Sequence, residues 1–378
     1  INFLMKLTLS KLDFVKSLSF IQDIVQTKST IPILANVLLE AKQGRLHLSG
    51  TDMDMTISDK IKIKNIETEG ATCVPVHILY NVIKELSDDK LIDLSYDKNS
   101  KKLYLTSFKS KFTFSCLPKD DFPILTTENY KISFSLKPGL LKEMIDKTYF
   151  AVSNEEARYY LNGILFHTIK LNNKFFLRSI ATDGHRLAQC ETISPAAANN
   201  IFSTIIPKKL IFELRKLIDE VEDEIKIDLS ERKIKFSFNE TVLISKLIDG
   251  KFPDYEKVIP KNAKNSFSID RKIFLESINR IATISSEKSK AIKLNLNKDK
   301  LTISANNLEE GGSGIEEIEV NYNGPTLDIG FNASYLKEII NQFNGKEITI
   351  LFSNSIAPTI IKDLTQSKTL YVLMPMRV

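Results

Sequence analysis

The sequence predicts an α+β protein of three repeated domains, each made of two helices laid on antiparallel sheet. Two observations predict it, beyond a length of 378 residues that exceeds one ordinary domain. Similar text recurs at intervals of about 130 residues: LHLSGTDMDMTI (46–57), FFLRSIATDGHRLA (175–188) and LTISANNLEEGG (301–312). Each copy lies between two amphipathic helical patterns, and runs of alternating polar and apolar residues surround it.

In the first third, Phe14, Leu18, Ile21 and Val25 recur at i, i+4, i+7 and i+11, which places them on one helical face. Strands are expected in IPILANVLLEA and GRLHLSG. A second helix opens near Pro75 and buries Leu79, Ile83 and Leu86, followed by strands LIDLSYD, KLYLTSF and KFTFSCL. The middle third repeats the scheme with a helix bearing Leu141 and Ile145, then strands YLNGILFHT and KFFLRSIAT. Its second helix opens at Pro207, a favoured first-turn residue, and carries Leu210, Leu214, Leu217 and Val221 ahead of EIKIDLS, KIKFSFN and VLISKLI. The last third offers Phe274, Ile278 and Ile281, then strands KLNLN and KLTISAN. Leu336, Ile340 and Phe343 mark its second helix, before EITILFS, PTIIKDL and TLYVLMP. Polar, proline-containing stretches FPILTTENY and VIPKNAKNS set the boundaries, giving domains 1–128, 129–260 and 261–378.

One-faced helices on strands would cover one face of a sheet, and sheets of successive domains that join edge to edge would protect their edge strands. Cys73, Cys116 and Cys190 are odd in number, far apart and without CxxC spacing, so buried reduced thiols are expected rather than disulfides or zinc. The four histidines show no metal-ligand spacing, and neither metal nor cofactor is expected. The opening INFLMKLTLS lacks the basic and long apolar regions of a signal peptide, and Ile1 places the natural start at Met5 or upstream. No uncharged apolar run approaches a membrane span, so a soluble cytoplasmic protein is expected. With 52 basic and 47 acidic residues the net charge of +5 permits nucleic-acid binding without demanding it.

ATDGHRLA invites a hydrolase reading with Asp183 orienting His185 as a base, but no GxSxG, Cys–His or metal pattern supplies the missing part. A tight turn in which Gly184 takes positive φ accounts for the same residues. A third reading is a structural β-repeat protein without DNA contact.

ATDGHRLA (181–188), RYYLNG (158–163), FPDY (252–255) and the terminal YVLMPMRV (371–378), in this order within a three-repeat chain, resemble the bacterial DNA polymerase III beta subunit, the sliding clamp. The resemblance extends over nearly the whole chain from Met5. It implies a head-to-tail homodimer whose six domains close into a ring around duplex DNA, helices inward and sheets outward. It implies a non-catalytic role in processivity, tethering the polymerase while sliding. The implied partners are double-stranded DNA without sequence preference, the polymerase III alpha subunit, the clamp loader, and other polymerases and repair proteins carrying short linear motifs.

The resemblance also distributes roles. One wall of a peptide groove would come from Leu161, Thr182, Gly184, His185, Arg186, Leu187, Pro253, Lys257 and Val258. The other would come from Asn332, Tyr335, Ile356, Pro358, Val372, Met374, Pro375, Met376, Arg377 and Val378. Aliphatic, methionine and proline side chains suit an adaptable apolar groove, with His185, Arg186 and Arg377 orienting polar groups at its rim. Lys257 stands where arginine is common among relatives, Pro358 where a small polar residue occurs, and Val378 in place of a terminal leucine. Lys28, Lys142, Lys147, Lys208, Lys209, Arg215, Arg271 and Arg280 would face DNA, among interspersed acids. Such contacts go to phosphate, so binding is expected to be weak and salt-sensitive. Phe112 and Phe114 of one subunit would face Thr283 and Ile284 of the other, although core positions in their own sheet would equally suit the two phenylalanines.

Overall fold

The computed structural model of the chain describes residues 3–27, 29–125, 128–307 and 311–377. Lys28 and Val378, both expected at functional surfaces, lie outside the described residues.

The first third comprises β1 (Met5–Ser10), α1 (Lys11–Ile24), β2 (Asn36–Lys42), β3 (Arg45–Thr51), β4 (Met55–Thr68) and β5 (Gly70–Pro75). It continues through α2 (Val76–Glu85), β6 (Leu91–Asp97), β7 (Lys102–Ser107) and β8 (Ser110–Ser115). Then come β9 (Ile132–Leu136), α3 (Pro138–Asp146), β10 (Gly163–Leu171), β11 (Lys174–Thr182), β12 (Arg186–Ile193) and β13 (Thr204–Pro207). The middle third ends with α4 (Lys208–Ile218), β14 (Ile225–Leu229), β15 (Lys233–Phe238) and β16 (Thr241–Lys246). The last third holds β17 (Asn265–Asp270), α5 (Arg271–Ala282), β18 (Ala291–Asn297), β19 (Lys300–Asn307), β20 (Gly312–Glu319) and β21 (Leu327–Asn332). It closes with α6 (Ala333–Ile340), β22 (Glu347–Phe352), β23 (Thr359–Lys362) and β24 (Thr369–Leu373).

All six helices fall where the apolar period places them. Phe14, Leu18, Ile21, Leu79, Ile83, Leu141, Ile145, Leu210, Leu214, Phe274, Ile278, Leu336 and Ile340 are buried. Pro75 and Pro207 each end a strand and stand immediately before a helix, where a missing N–H costs nothing. Asp270 caps α5 by accepting from the N–H groups of Lys272 and Ile273 (2.9 and 3.0 Å). Two stretches differ from expectation. Pro32–Ala35 of IPILA is a 3-10 turn ahead of β2, because proline at its first position presets φ and removes a ladder donor. Tyr160 and Leu161 belong to a 3-10 segment (Glu156–Leu161), and the expected strand begins only at Gly163.

The chain forms two compact units, residues 1–141 with 209–247, and 142–208 with 248–378. The first contains a twelve-stranded sheet in the order β8-β7-β6-β1-β4-β16-β15-β14-β9, with β2, β3 and β5 branching from β4. In the second unit, β13-β10-β11-β12-β24-β23-β22-β17 form one sheet and β20-β19-β18-β21 another. Sheets of successive thirds do join edge to edge: β16 pairs antiparallel with β4, and β12 with β24. Each junction turns two edges that would otherwise be open into interior strands. The β12–β24 ladder, from Arg186↔Leu373 to Cys190↔Thr369, brings the end of the chain beside the ATDGHRLA turn. The three cysteines are buried and unpaired, and burial pushes the thiols of Cys73 and Cys190 up to about 12.

Candidate partner-binding groove

The turn joining β11 to β12 is built from its own side chains. Asp183 Oδ1 accepts from the N–H groups of His185 and Arg186 (2.9 and 3.1 Å), closing an Asx turn. Thr182 Oγ1 donates to the Arg186 carbonyl at 2.6 Å and accepts from Gly184 N at 3.1 Å. Gly184 takes φ +88°, a conformation that a side chain would strain. The turn joining β3 to β4 has the same wiring: Asp52 Oδ1 accepts from Asp54 N and Met55 N, and Thr51 Oγ1 donates to the Met55 carbonyl. In that copy Met53 occupies the left-handed position at φ 80°.

Arg186 anchors the middle turn to the last third. Its Nε donates to Asp183 Oδ2 at 3.0 Å, one Nη to Glu338 of α6, and the other to the Phe150 carbonyl at 2.8 Å. The guanidinium also lies 4.3 Å from the Tyr335 ring centre and 5.1 Å from that of Phe150. The side chain is buried, and three of its five donors serve the scaffold. Asp183 is likewise committed to backbone N–H groups and Arg186, while the His185 ring stacks on Tyr335 at 6.0 Å. An Asp183–His185 base pair of the hydrolase kind is therefore not assembled.

On one side of this turn opens a cavity of about 200 Å³. Nine expected residues line it: Leu161, Thr182, Gly184, Arg186, Leu187, Pro253, Val258, Val372 and Met374. Four more complete the wall, Arg158, Tyr160, Asp254 and Tyr255. Their signal was present in the motifs RYYLNG and FPDY, of which only Leu161 and Pro253 were expected to line the groove. The floor continues into a buried cluster of Leu161, Leu165, Ile180, Leu187, Ile205, Phe252, Tyr255, Ile360 and Val372, which makes the cavity firm and apolar. Arg158 is held across the rim by Glu155, with Nε to Oε2 at 2.8 Å, and this pair raises the guanidinium's affinity for its proton.

His185 and Tyr335 border a second, more polar recess with Tyr149, Glu155, Lys208 and Glu338. Burial first, then the Asp183 carboxylate, pushes the Tyr335 phenol above its ordinary value. Asn332 is the cap of α6, its Oδ1 accepting from Ser334 N and Tyr335 N (2.9 and 3.3 Å). The tail is held in place by backbone bonds, Met374 N to the His185 carbonyl and Met376 N to the Gly330 carbonyl, each 2.9 Å. Lys257, Ile356, Pro358, Pro375, Met376 and Arg377 do not line the cavity; Lys257 pairs with Asp254 at 3.1 Å and Ile356 is an exposed loop residue.

Most of the cations expected to face DNA are already engaged. Lys209 pairs with Asp52, Arg215 with Asp219 at 3.1 Å, and Arg280 with Glu316 at 3.0 Å. Lys208 donates to Asn154 at 2.6 Å, Arg271 to the Gly345 carbonyl at 3.0 Å, and Lys147 to the Gln342 carbonyl. Lys142 lies half-buried on α3. The exposed pair of Arg215 with Asp219 belongs to a class worth about 0–1 kcal/mol.

Phe112 and Phe114 alternate onto one face of β8, opposite Leu105 and Leu103 of β7, and Phe114 is buried in its own sheet. Thr283 ends α5, its hydroxyl donating to the Arg280 carbonyl at 2.7 Å. Ile284 lies against β20, within 3.4 Å of where a side chain at Gly314 would start. Strands β8 and β20 are edge strands, each at the end of its sheet.

Comparison with known proteins gives the family. The N-terminal, central and C-terminal domains of the DNA polymerase III beta subunit match residues 5–126, 135–254 and 256–377. The beta sliding clamp of Caulobacter vibrioides is 38% identical over 374 residues, 99% of this chain and 100% of the relative. That of Pseudomonas aeruginosa is 35% identical over 373 residues, with the same coverage. Among solved structures, the Bartonella birtlesii sliding clamp bound to griselimycin superposes with TM-score 0.94 at 38% identity, covering 99% of this chain and all of that one. A Caulobacter crescentus clamp with polyethylene glycol bound to its putative beta-motif tethering region gives 0.96 at 38%, covering 99% of each chain. Among the described residues no helix is long and apolar enough to cross a membrane. With identity above 30% along its whole length, the chain belongs to the DNA polymerase III beta subunit family, the beta sliding clamps.

Proposed function

We propose that this sliding clamp acts as a head-to-tail homodimer that encloses duplex DNA, and docks the polymerase III alpha subunit in the groove beside the Thr182–Leu187 turn. The clamp loader, other polymerases and repair proteins would use the same groove through short linear motifs. The clamp makes and breaks no bond; as the family's processivity factor it converts a diffusing polymerase into a tethered one. The observation that carries the docking reading is the apolar cavity formed where β12 pairs with β24, with Leu187, Val372 and Met374 on its walls. A segment inserting two or three apolar side chains would gain about 1.5–3 kcal/mol from each. Association and ordering costs reduce this to roughly micromolar affinity per groove. Griselimycin, which the Bartonella clamp binds, is expected to compete for this site.

Three domains in each of two copies would surround the duplex, with the domain limits near residues 128 and 260. The free edges of β8 and β20 support the dimer, since an unpaired strand edge is a template for another chain. Their charges are complementary, Lys109 and Lys111 at β8 against Glu316, Glu317 and Glu319 on β20. Sequence-independent contact with phosphate would draw on Lys142, Lys147, Lys208, Lys209, Arg215, Arg271 and Arg280.

The test of docking is Met374→Glu, which sets a carboxylate in the cavity wall. Polymerase stimulation and griselimycin binding are expected to fall at least tenfold, about 1.4 kcal/mol or more, with the sedimentation of the dimer unchanged. Full stimulation by a folded Met374→Glu protein would show that partners dock elsewhere.

A further inference from the structure

Behind the groove lies a polar network that meets it at Tyr255. Tyr255 lines the cavity with its ring, and its hydroxyl points away into the sheet formed by β10 and β11. There Arg178 Nη1 donates to Tyr255 Oη at 3.1 Å, and His167 Nε2 lies 2.9 Å from the same oxygen. Because Arg178 donates only, the phenol hydrogen is left for a neutral imidazole to accept. Arg178 is buried and fixed from two further sides, by Glu191 Oε2 at 2.8 Å and Glu256 Oε1 at 3.1 Å. The His167 and Tyr255 rings meet edge to face at 5.7 Å. Two strands of one sheet, β10 and β11, thus hold the short Tyr255–Lys257 turn at the phenolic oxygen, and Arg178, braced by Glu191 of β12, also holds its Glu256 carboxylate.

We propose that His167 and Arg178 are positioning residues of the groove: by holding the Tyr255 hydroxyl from behind, they fix the wall formed by Pro253, Tyr255 and Val258 and so set how tightly an apolar segment seats. Neither side chain touches the cavity, and removing either would leave its walls chemically unchanged. What changes is the freedom of the wall, and a wall that must be ordered on binding lowers affinity.

The network also makes the wall sensitive to acid. Burial first, then the Arg178 charge, holds His167 below the usual histidine value, while Glu256 acts weakly in the opposite sense. Protonated His167 would place a second cation beside Arg178 and leave the phenol hydrogen without its acceptor. With a folded-state value lower than the unfolded one, this contribution is complete above about pH 6.5 and is lost as pH falls through the depressed value.

This inference rests on the groove being the docking site, and griselimycin binding by the full-length dimer separates the two. Tyr255→Phe keeps the ring and deletes the oxygen; His167→Gln keeps a polar side chain that does not titrate. Wild type is expected to bind at pH 7.5 and to weaken as the pH falls below about 6.5, by less than tenfold at pH 5.5. Tyr255→Phe should bind about fivefold more weakly at pH 7.5, and both variants should have flat profiles between those pH values. A wild type that does not bind griselimycin overturns the groove reading and this inference with it. Binding whose pH profile survives in His167→Gln would assign the dependence to another group and overturn the positioning role alone. Unchanged affinity in Tyr255→Phe would overturn it equally.

Discussion

Thr182, Asp183 and Gly184 do at residue scale what Thr51, Asp52 and Met53 do in the first copy. In both, an aspartate closes an Asx turn, a threonine hydroxyl bridges it, and the third residue takes positive φ (88° and 80°). The copies diverge at the aspartate's second oxygen, which meets Arg186 in one and Lys209 in the other. Gly184→Ala is expected to destabilise the protein by about 1 kcal/mol through backbone strain, measurable as a lower thermal midpoint. It should also weaken docking in the proposed groove, because the new methyl group would start 2.5 Å from an Arg158 Nη. Unchanged melting and binding would mean the turn relaxes freely. The motif was legible in the sequence, but the use made of Arg186 was not. A basic residue beside a groove reads as a ligand contact, and only the positions of Glu338, Phe150 and Tyr335 reveal a buried strut.

At the scale of elements, the six helices could be read because each buries one apolar stripe, a signal independent of the rest of the chain. Strands were legible where β-branched and aromatic residues alternate, as in β6 (Leu91–Asp97) and β11 (Lys174–Thr182). Strand β20 (GSGIEEIE) has poor intrinsic propensity and exists because all eight of its residues pair with β19. Tyr160 and Leu161 mislead in the other direction: apolar text that favours a strand is folded into 3-10 turns with local i,i+3 contacts such as Arg158 with Glu155. Caps give an element-scale prediction. Asn332→Ala should cost about 1 kcal/mol by orphaning the first N–H groups of α6. Chemical denaturation should show the midpoint shifting with an unchanged slope. Loss of less than about 0.3 kcal/mol would mean water caps the helix equally well.

For the whole molecule, the repeat has two consequences. Shared helix spacing makes the thirds alike and a shared turn joins the first two, whereas the junctions between thirds make the compact units, β4 with β16 in one and β12 with β24 in the other. A groove of the kind described forms where the second junction brings FPDY and the chain's tail against the TDGHR turn. Ring closure needs a second copy, and no property of a single sequence states it; the resemblance to clamps supplied it. Of the cations expected to meet DNA, Lys209, Arg215 and Arg280 stand in ion pairs and Lys147, Lys208 and Arg271 donate to carbonyl oxygens, so a phosphate contact would exchange one bond for another. Binding to linear duplex should therefore weaken with salt, by a slope of roughly −0.9 in log K per phosphate engaged. A bound state that owes its lifetime to topology should not. The direct test is to load the dimer onto nicked circular DNA with its clamp loader and then linearise the circle. The account predicts that clamps persist on the circle and are lost through the unblocked ends after cutting; clamps that remain on linear DNA with open ends would contradict it.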